Sequence, residues 1–411
     1  MEICERLMGS GAAEEYIINA NLALNFMLVR EPEDMVDEEQ YFGAEMTHQV
    51  YGEGEQIFGY RNLFIKLFIT AGRLNMYCEV EHSGMYESSK PGELKPDEVI
   101  PPLANLVPPN TILGSKSTFV AMIRKEASFR PFGEQISRHT IQEGGEERVF
   151  EMYLSDESTP GFTDYFERVQ MFAMFYVDAA SYIDNTDEKW RYFLVFEKYK
   201  SSDGASLYAL AGFSTVYEFY GYPEHIRPRI SQMLVLPPFQ MMGVGSALLQ
   251  AIYNKYIDDP KVLTIAVEDP SEVFGKMRLV LNCRNCLELT AFGVQNIKSG
   301  LTKQHYDEAR TKLKLNKDCV RNVYNVLRFR ATDRNDPEDC KAFRLFIKNQ
   351  LYAPFRRQDK EKAKMEKHHL SQEEISELLS FVPKEKRSEI IHQEYLDLKA
   401  KFSAIVEKLP K

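Results

Sequence analysis

The chain has 411 residues, 44% hydrophobic and 27% charged, with a formal net charge of −10; that is enough apolar material for two or three domains whose cores need no disulfide or metal staples. No apolar run reaches bilayer-spanning length, and Met1-Glu2-Ile3-Cys4-Glu5 lacks a basic-then-apolar signal. Six scattered cysteines fit the reducing cytosol or nucleus better than a disulfide framework. The charge is unevenly placed, since residues 301–411 carry 25 positive and 18 negative groups, net +7, which leaves net −17 on the first 300. An acidic front suits a basic substrate through long-range attraction, and acidic surfaces also serve solubility.

In chain order, residues 1–130 read as an α+β module. Ala20 to Val29, Leu63 to Thr70 and Leu74 to Val80 are apolar and strand-like, and an acidic stretch runs from Glu31 to Glu39. Between Glu81 and Ser115, Pro91, Pro96, Pro101, Pro102, Pro108 and Pro109 predict an irregular surface loop. His139 to Leu154 reads as a hairpin with Gly144-Gly145 at its tip. Phe162 to Asp184 reads as an amphipathic helix, followed by strands at Tyr192 to Tyr199, Leu207 to Tyr217 and Ile230 to Leu236. The last of these stops at Pro237-Pro238, which cannot continue a hydrogen-bonded ladder.

Gln240-x-x-Gly243-x-Gly245 then opens an apolar-periodic helix to about Tyr256, and a final strand spans Val262 to Val267. Two glycines let the backbone approach a ligand, while unpaired N–H groups and the positive end of a helix dipole face outward, a site for an anion such as a pyrophosphate. The pattern lacks the third glycine of a dinucleotide fingerprint and the Gly-Lys-Ser/Thr of a Walker loop. Past Leu287 the chain is helical, with a basic run at Arg356 to Lys367. That run serves as a solvated helix face, with nuclear import or nucleic-acid contact as the functional alternatives. Cys283-x-x-Cys286 has no further ligands at zinc spacing and reads as two ordinary thiols; no metal site is expected.

The Gln240 to Gly245 turn resembles the pyrophosphate loop of the GCN5-related N-acetyltransferases. Trp190-Arg-Tyr-Phe-Leu-Val-Phe-Glu-Lys-Tyr199, Arg227-Pro-Arg-Ile-Ser-Gln-Met-Leu-Val-Leu-Pro-Pro-Phe-Gln240 and Val267-Glu-Asp-Pro-Ser-Glu272 together resemble the catalytic subunit of the type B histone acetyltransferases. The resemblance implies an α+β fold: a mostly antiparallel sheet flanked by helices, with an N-terminal α+β domain (1–130) that binds the substrate tail, an acetyl-CoA-binding core (131–286) and a helical C-terminal region (287–411). It implies acetyl transfer from acetyl-CoA to a lysine in the tail of a free, newly made core histone, the fourth core histone. It also implies a WD-repeat histone-binding partner and residence in nucleus and cytoplasm.

Acetyl transfer to lysine requires a neutral amine, and with a pKa near 10.4 only about one side chain in 10³ is neutral at physiological pH. A positioned carboxylate base therefore helps. Glu268, at the end of an apolar strand, is the candidate, and the resemblance places the proposed base at this glutamate; alternatively it merely ends a strand at the surface. Asp269-Pro270-Ser271-Glu272 reads as an N-cap aspartate with proline and glutamate in the first turn, which suffices to explain Asp269 even if it also accepts protons. Asp178, on the preceding helix, is a second acidic candidate by resemblance. An aspartate there reaches less far than the glutamate expected, and a solvated helix face also explains it.

For the cofactor, the resemblance assigns Met233, Leu234 and Val235 as backbone partners of pantetheine and thioester, with Leu234 at the oxyanion. Gln240, Met241, Met242, Gly243, Val244, Gly245 and Ser246 would wrap the pyrophosphate through main-chain N–H groups. For the peptide, Glu53, Glu55, Trp190 and Tyr217 match positions that cradle the tail; alternatively Trp190 is a core anchor and the glutamates are loop charges. Two other readings are another GCN5-related amine acetyltransferase, acting on protein N termini or small molecules, and a CoA- or histone-binding module without turnover.

Overall fold

The computed structural model describes residues 14–87, 94–201, 204–368 and 382–410; Met1 to Glu5 and Pro91 lie outside the described residues. The expected division at 130 and 286 is one of sequence pattern, whereas backbone contacts group the chain into two compact units. One is Met1–Tyr256 with Ala266–Glu268, the other Ile257–Ile265 with Asp269–Lys411. Among the described residues no helix is long and apolar enough to cross a membrane.

Early in the first unit one helical turn, α1 (Ala20–Ala23), stands where a strand is expected from sequence. Asn19 accounts for the difference, since its side-chain oxygen accepts the N–H groups of Asn21 (2.9 Å) and Leu22 (3.3 Å) and so caps a turn. The strands of one sheet follow: β1 (Leu24–Val29), β2 (Phe42–Gly43), β3 (Phe64–Thr70), β4 (Met76–Glu81) and β5 (Ile112–Leu113). They form a mixed sheet in the order β2-β1-β3-β4-β5, with β1–β3 and β4–β5 parallel. Helix α2 (Lys116–Ile123) covers it by inserting Phe119 and Ile123 among Met27, Val29 and Phe68. The proline-rich stretch is less irregular than expected, because it contains β5 and a short helix at Ile100–Ala104.

The second sheet begins as the expected hairpin, β6 (Glu134–Glu143) and β7 (Glu146–Ser155), turning through Gly144 and Gly145 at φ +60° and +90°. Helix α3 (Phe162–Gln170) buries Phe162, Tyr165, Phe166, Val169 and Gln170, one face at helical spacing. A short α4 (Ala173–Tyr176) then ends the helical stretch eight residues before Asp184, where the sequence predicted its end. The reason is a competing acceptor role, because the Phe175 carbonyl takes the N–H groups of Glu45 (3.1 Å) and Met46 (3.2 Å). Val177 is extended and Ala179 lies at φ +54°, so Asp178 sits in a turn rather than on a helix.

β8 (Trp190–Lys200), β9 (Ser206–Gly221), β10 (His225–Val235), helix α5 (Val244–Ile257) and β11 (Ala266–Val267) complete the unit. The sheet order β6-β7-β8-β9-β10-β11 follows the chain, and every pairing is antiparallel except β10–β11. The last strand is shorter than the expected Val262 to Val267, because the Ile265 N–H is taken by the Lys314 carbonyl (3.1 Å) before the ladder begins. Helix α3 seals one face of the sheet through Phe166, 4.5 Å from the Tyr192 ring and 5.8 Å from Phe213, all fully or nearly fully buried. Phe166→Ala should therefore cost about 3–5 kcal/mol, read as a lower denaturant midpoint of the unit.

The second unit is helical: α6 (Glu272–Leu287), α7 (Lys303–Leu313), α8 (Lys317–Arg330), α9 (Pro337–Leu351), α10 (Ala353–Lys367) and α11 (Lys384–Val406). Cys283 and Cys286 are fully buried in its core with Val323, Tyr324, Phe343 and Phe402, and burial pushes both thiols well above their usual pKa. The basic run lies on α10, as its pattern predicts. Asp339 accepts the Asp333 N–H (2.9 Å) and the Lys298 ammonium (2.9 Å) and pairs with Arg328, which holds its carboxyl well below the usual range. A carboxyl depressed by folding stabilises the fold above its ordinary pKa and loses that contribution as pH falls through the folded value. Asp339→Asn should then lower thermal stability at pH 7, with the gap from wild type closing as both are titrated below about pH 4.

Candidate active site

Strand β10 changes its bonding partway along. At Arg229 and Ile230 it is flanked on both sides, pairing Tyr217 and Val216 of β9 and Ala266 and Val267 of β11. The register with β9 then shifts, Thr215 facing Gln232 and Val216 facing Ile230, so Ser231 is the extra residue of a bulge. Beyond it β10 keeps β9 but has no pairing with β11, which turns away at Asp269 (φ +29°). The strands therefore fork, and one backbone edge of β10 is open.

Alternation decides which amides line that edge. The Leu236 N–H donates to the Ala211 carbonyl (2.9 Å), Leu234 directs its carbonyl at Gly212, and the Gln232 carbonyl accepts the Ser214 hydroxyl (2.8 Å). Residues 232, 234 and 236 thus face β9, and Met233 and Val235 turn their amides to the open side. The Leu234 backbone, expected at the oxyanion, turns its polar groups to the sheet, and the amide facing the open side is that of Met233.

After β10 the chain makes a single turn through Pro237–Phe239, closed by the Gln240 side-chain amide donating to the Val235 carbonyl (2.9 Å). Met241 lies at φ +62° with its side chain fully exposed, and Gly243 lies at φ +79°. A Cβ at Gly243 would stand 3.3 Å from the His139 imidazole, whose Nε2 is 3.2 Å from the Met242 carbonyl. Helix α5 starts at Val244, so the amides of Val244, Gly245 and Ser246 have no acceptor one turn back and point outward with the positive end of a 14-residue helix. The turn presents outward amides at the open end of β10, an arrangement that suits a phosphate-sized anion such as the pyrophosphate of acetyl-CoA.

Glu268 follows β11 directly and is held at three points. Its N–H donates to the Ile230 carbonyl (2.9 Å), Oε1 pairs with Arg229 (2.9 Å), and Oε2 accepts the Ser231 hydroxyl (2.7 Å). The carboxylate is about one-third exposed, so it is fixed yet reachable. Asp269 does not cap the next helix. Ser271 does, with its hydroxyl accepting the Phe274 N–H (3.2 Å) and its carbonyl the Gly275 N–H (2.8 Å), because Asp269 must turn the chain away from the fork.

Trp190 and Tyr217 face each other across β8 and β9, rings 4.9 Å apart, and Tyr217 donates its hydroxyl to Asp187 (2.9 Å). Tyr217 is also the sheet partner of Arg229, so this aromatic pair adjoins the residues that hold Glu268. Asp178 is exposed, in a turn tied to β10 where Gln232 donates to the Ser181 carbonyl (3.0 Å). Glu53 is exposed on its loop. Glu55 is turned inward, where the Thr47 N–H (2.8 Å) and the Asn21 amide (2.7 Å) hold its carboxyl below the usual range. Arg229, Ser231 and His139 were not singled out from sequence; a charged and a hydroxyl residue two apart in an apolar strand were the signal for the first two.

A mostly antiparallel sheet that forks at a bulged strand, with an anion-binding turn opening a helix and a carboxylate at the fork, defines an acetyl-CoA-dependent N-acetyltransferase. Residues 16–178 match the family described as histone acetyl transferase HAT1 N-terminus, and residues 278–329 match histone acetyltransferase type B catalytic subunit, C-terminal. The rat and human histone acetyltransferase type B catalytic subunits are each 36% identical over 397 residues, covering 96% of this chain and 94% of theirs. The chain belongs to the family of type B histone acetyltransferase catalytic subunits. The solved xEco2 acetyltransferase domain bound to a K105–CoA conjugate covers 34% of this chain and 88% of its own at 13% identity, with a TM-score of 0.23 too low to add to the assignment.

Gly243 offers a direct check of the cradle. Alanine at its positive φ costs about 1–2 kcal/mol and presses on His139, so Gly243→Ala should weaken acetyl-CoA binding about tenfold or more in a calorimetric titration. Gly245→Ala, at a helical φ, should weaken it less.

Proposed function

We propose that the chain transfers the acetyl group of acetyl-CoA to the side-chain amine of a lysine in the N-terminal tail of a free, newly synthesised core histone, the fourth core histone. The observation that carries this reading is the fork itself, where the Glu268 carboxylate and the released edge of β10 border one opening. In the proposed reaction Glu268 takes the proton of the lysine ammonium, and the neutral amine attacks the thioester carbonyl carbon. The Met233 N–H faces the oxygen on which negative charge develops. The tetrahedral adduct expels the CoA thiolate, which takes up a proton, and the amide remains. Transfer is direct, with no cysteine acyl carrier.

The amides of Val244, Gly245 and Ser246 hold the pyrophosphate in this scheme. Trp190 and Tyr217 flank the lysine stem, and the module of residues 1–130, with Glu53, receives the basic tail. The acidic balance of the first 300 residues supports attraction of such a substrate. A WD-repeat histone-binding subunit is the proposed partner, and nucleus and cytoplasm the proposed locations.

The test is transfer of labelled acetyl from acetyl-CoA to free histones and to nucleosomes, with wild type beside Glu268→Gln. Label on the tail of the fourth core histone, weak on nucleosomes and reduced about 10²-fold or more in the variant, is the expected result. Tight acetyl-CoA binding without histone label would point to another amine acceptor, and an unchanged rate for Glu268→Gln would remove it as the base.

A further inference from the structure

We propose that Arg229 is a positioning residue for the reaction, coupling the aromatic wall to Glu268; the proposal rests on the reading of Glu268 as the base. A row of side chains in direct contact runs across β8, β9 and β10 to the carboxylate. Trp190 meets Tyr217 edge-on at 4.9 Å, Tyr217 meets Phe219 at 4.6 Å, and the Arg229 guanidinium lies 4.5 Å from the Phe219 ring centre. Its Nη2 then reaches Glu268 Oε1 at 2.9 Å.

A guanidinium suits this place because it is flat. Its face stacks on the ring while its edge presents N–H groups to the carboxylate, so orienting the one orients the other. Arg229 and Ser231 straddle Ile230, whose carbonyl takes the Glu268 N–H, so the three contacts fix the carboxylate in direction as well as in place. Arg229 Nε is buried and has no hydrogen-bond acceptor among the described residues. The ion pair itself is exposed, with side chains 39% and 37% accessible, so it contributes little to holding the fold. What the arrangement supplies is geometry: contact of a substrate with Trp190 and Tyr217 is carried through Phe219 and Arg229 to the proton acceptor.

The experiment compares wild type, Glu268→Gln, Arg229→Gln, the double variant and Arg229→Lys, measuring kcat, KM for acetyl-CoA and melting temperature. Misplacing the base should lower kcat of Arg229→Gln by about 10–10²-fold, with KM for acetyl-CoA within about two-fold. Arg229→Lys, which keeps the charge without the flat stack, should recover part of the loss. In the double variant Arg229→Gln should add no loss to that of Glu268→Gln, because its effect passes through that carboxylate. A kcat for Arg229→Gln within about two-fold of wild type, or losses that multiply in the double variant, would overturn the proposal while leaving Glu268 as the base. Full activity of Glu268→Gln would remove the base reading and the proposal with it. If Arg229→Gln melts early, Phe219→Leu replaces it, since it keeps the ion pair and removes the stack; an unchanged kcat there also overturns the proposal.

Discussion

A parallel pairing only two residues long governs this structure. Had β10 and β11 stayed bonded to their ends, the β10 edge beyond the bulge would be spent on the ladder and no amide would be free for a ligand. The pairing stops because Asp269 turns the chain and Pro270, lacking an N–H, cannot prolong it. Two parallel strands also demand a crossover, and α5 provides it. A crossover helix must begin at the carboxyl end of the strand before it. The anion-binding turn and the opened edge are thus neighbours by topology, in keeping with ligands binding at the carboxyl ends of such strands.

The N-terminal sheet is joined to the forked sheet by backbone bonds as well as side-chain packing. The Leu210 N–H reaches the Ala71 carbonyl (2.8 Å), and the Tyr165 hydroxyl donates to Gly72 (2.9 Å). Glu126, buried beneath that corner, accepts the Gly72 and Arg73 amides while burial pushes its pKa up. Buried polar groups satisfied in this way tie two sheets into one unit, because breaking one bond strands its partner away from water. The same joint shortens the helix before Asp178, by diverting the Phe175 carbonyl to Glu45 and Met46.

Features written into local sequence were legible without the structure. The Gly144-Gly145 hairpin, the halt at Pro237-Pro238 and the helix after Gly243 each depend on residues adjacent in the chain. Features that depend on distant partners were not. Nothing local announces that Lys314 takes the Ile265 amide and shortens β11, or that Ser271 rather than Asp269 caps α6. The candidate site divides the same way: the glycine turn and Glu268 were visible as a motif, while the open Met233 amide, the clamp of Arg229 and Ser231, and the His139 support of Met242 emerge only from register and from side chains brought together across strands.

The order in which the chain visits its two units has a consequence for modularity. After Tyr256 it leaves the first unit, spends Ile257–Ile265 in the second, returns for Ala266–Glu268 and departs again. A polypeptide cut after Tyr256 would carry the coenzyme cradle, the aromatic wall and the whole N-terminal sheet, yet lack the carboxylate. Recombination or truncation at that seam therefore parts the glycine turn from Glu268, and on a ribosome the turn is complete before the carboxylate is made.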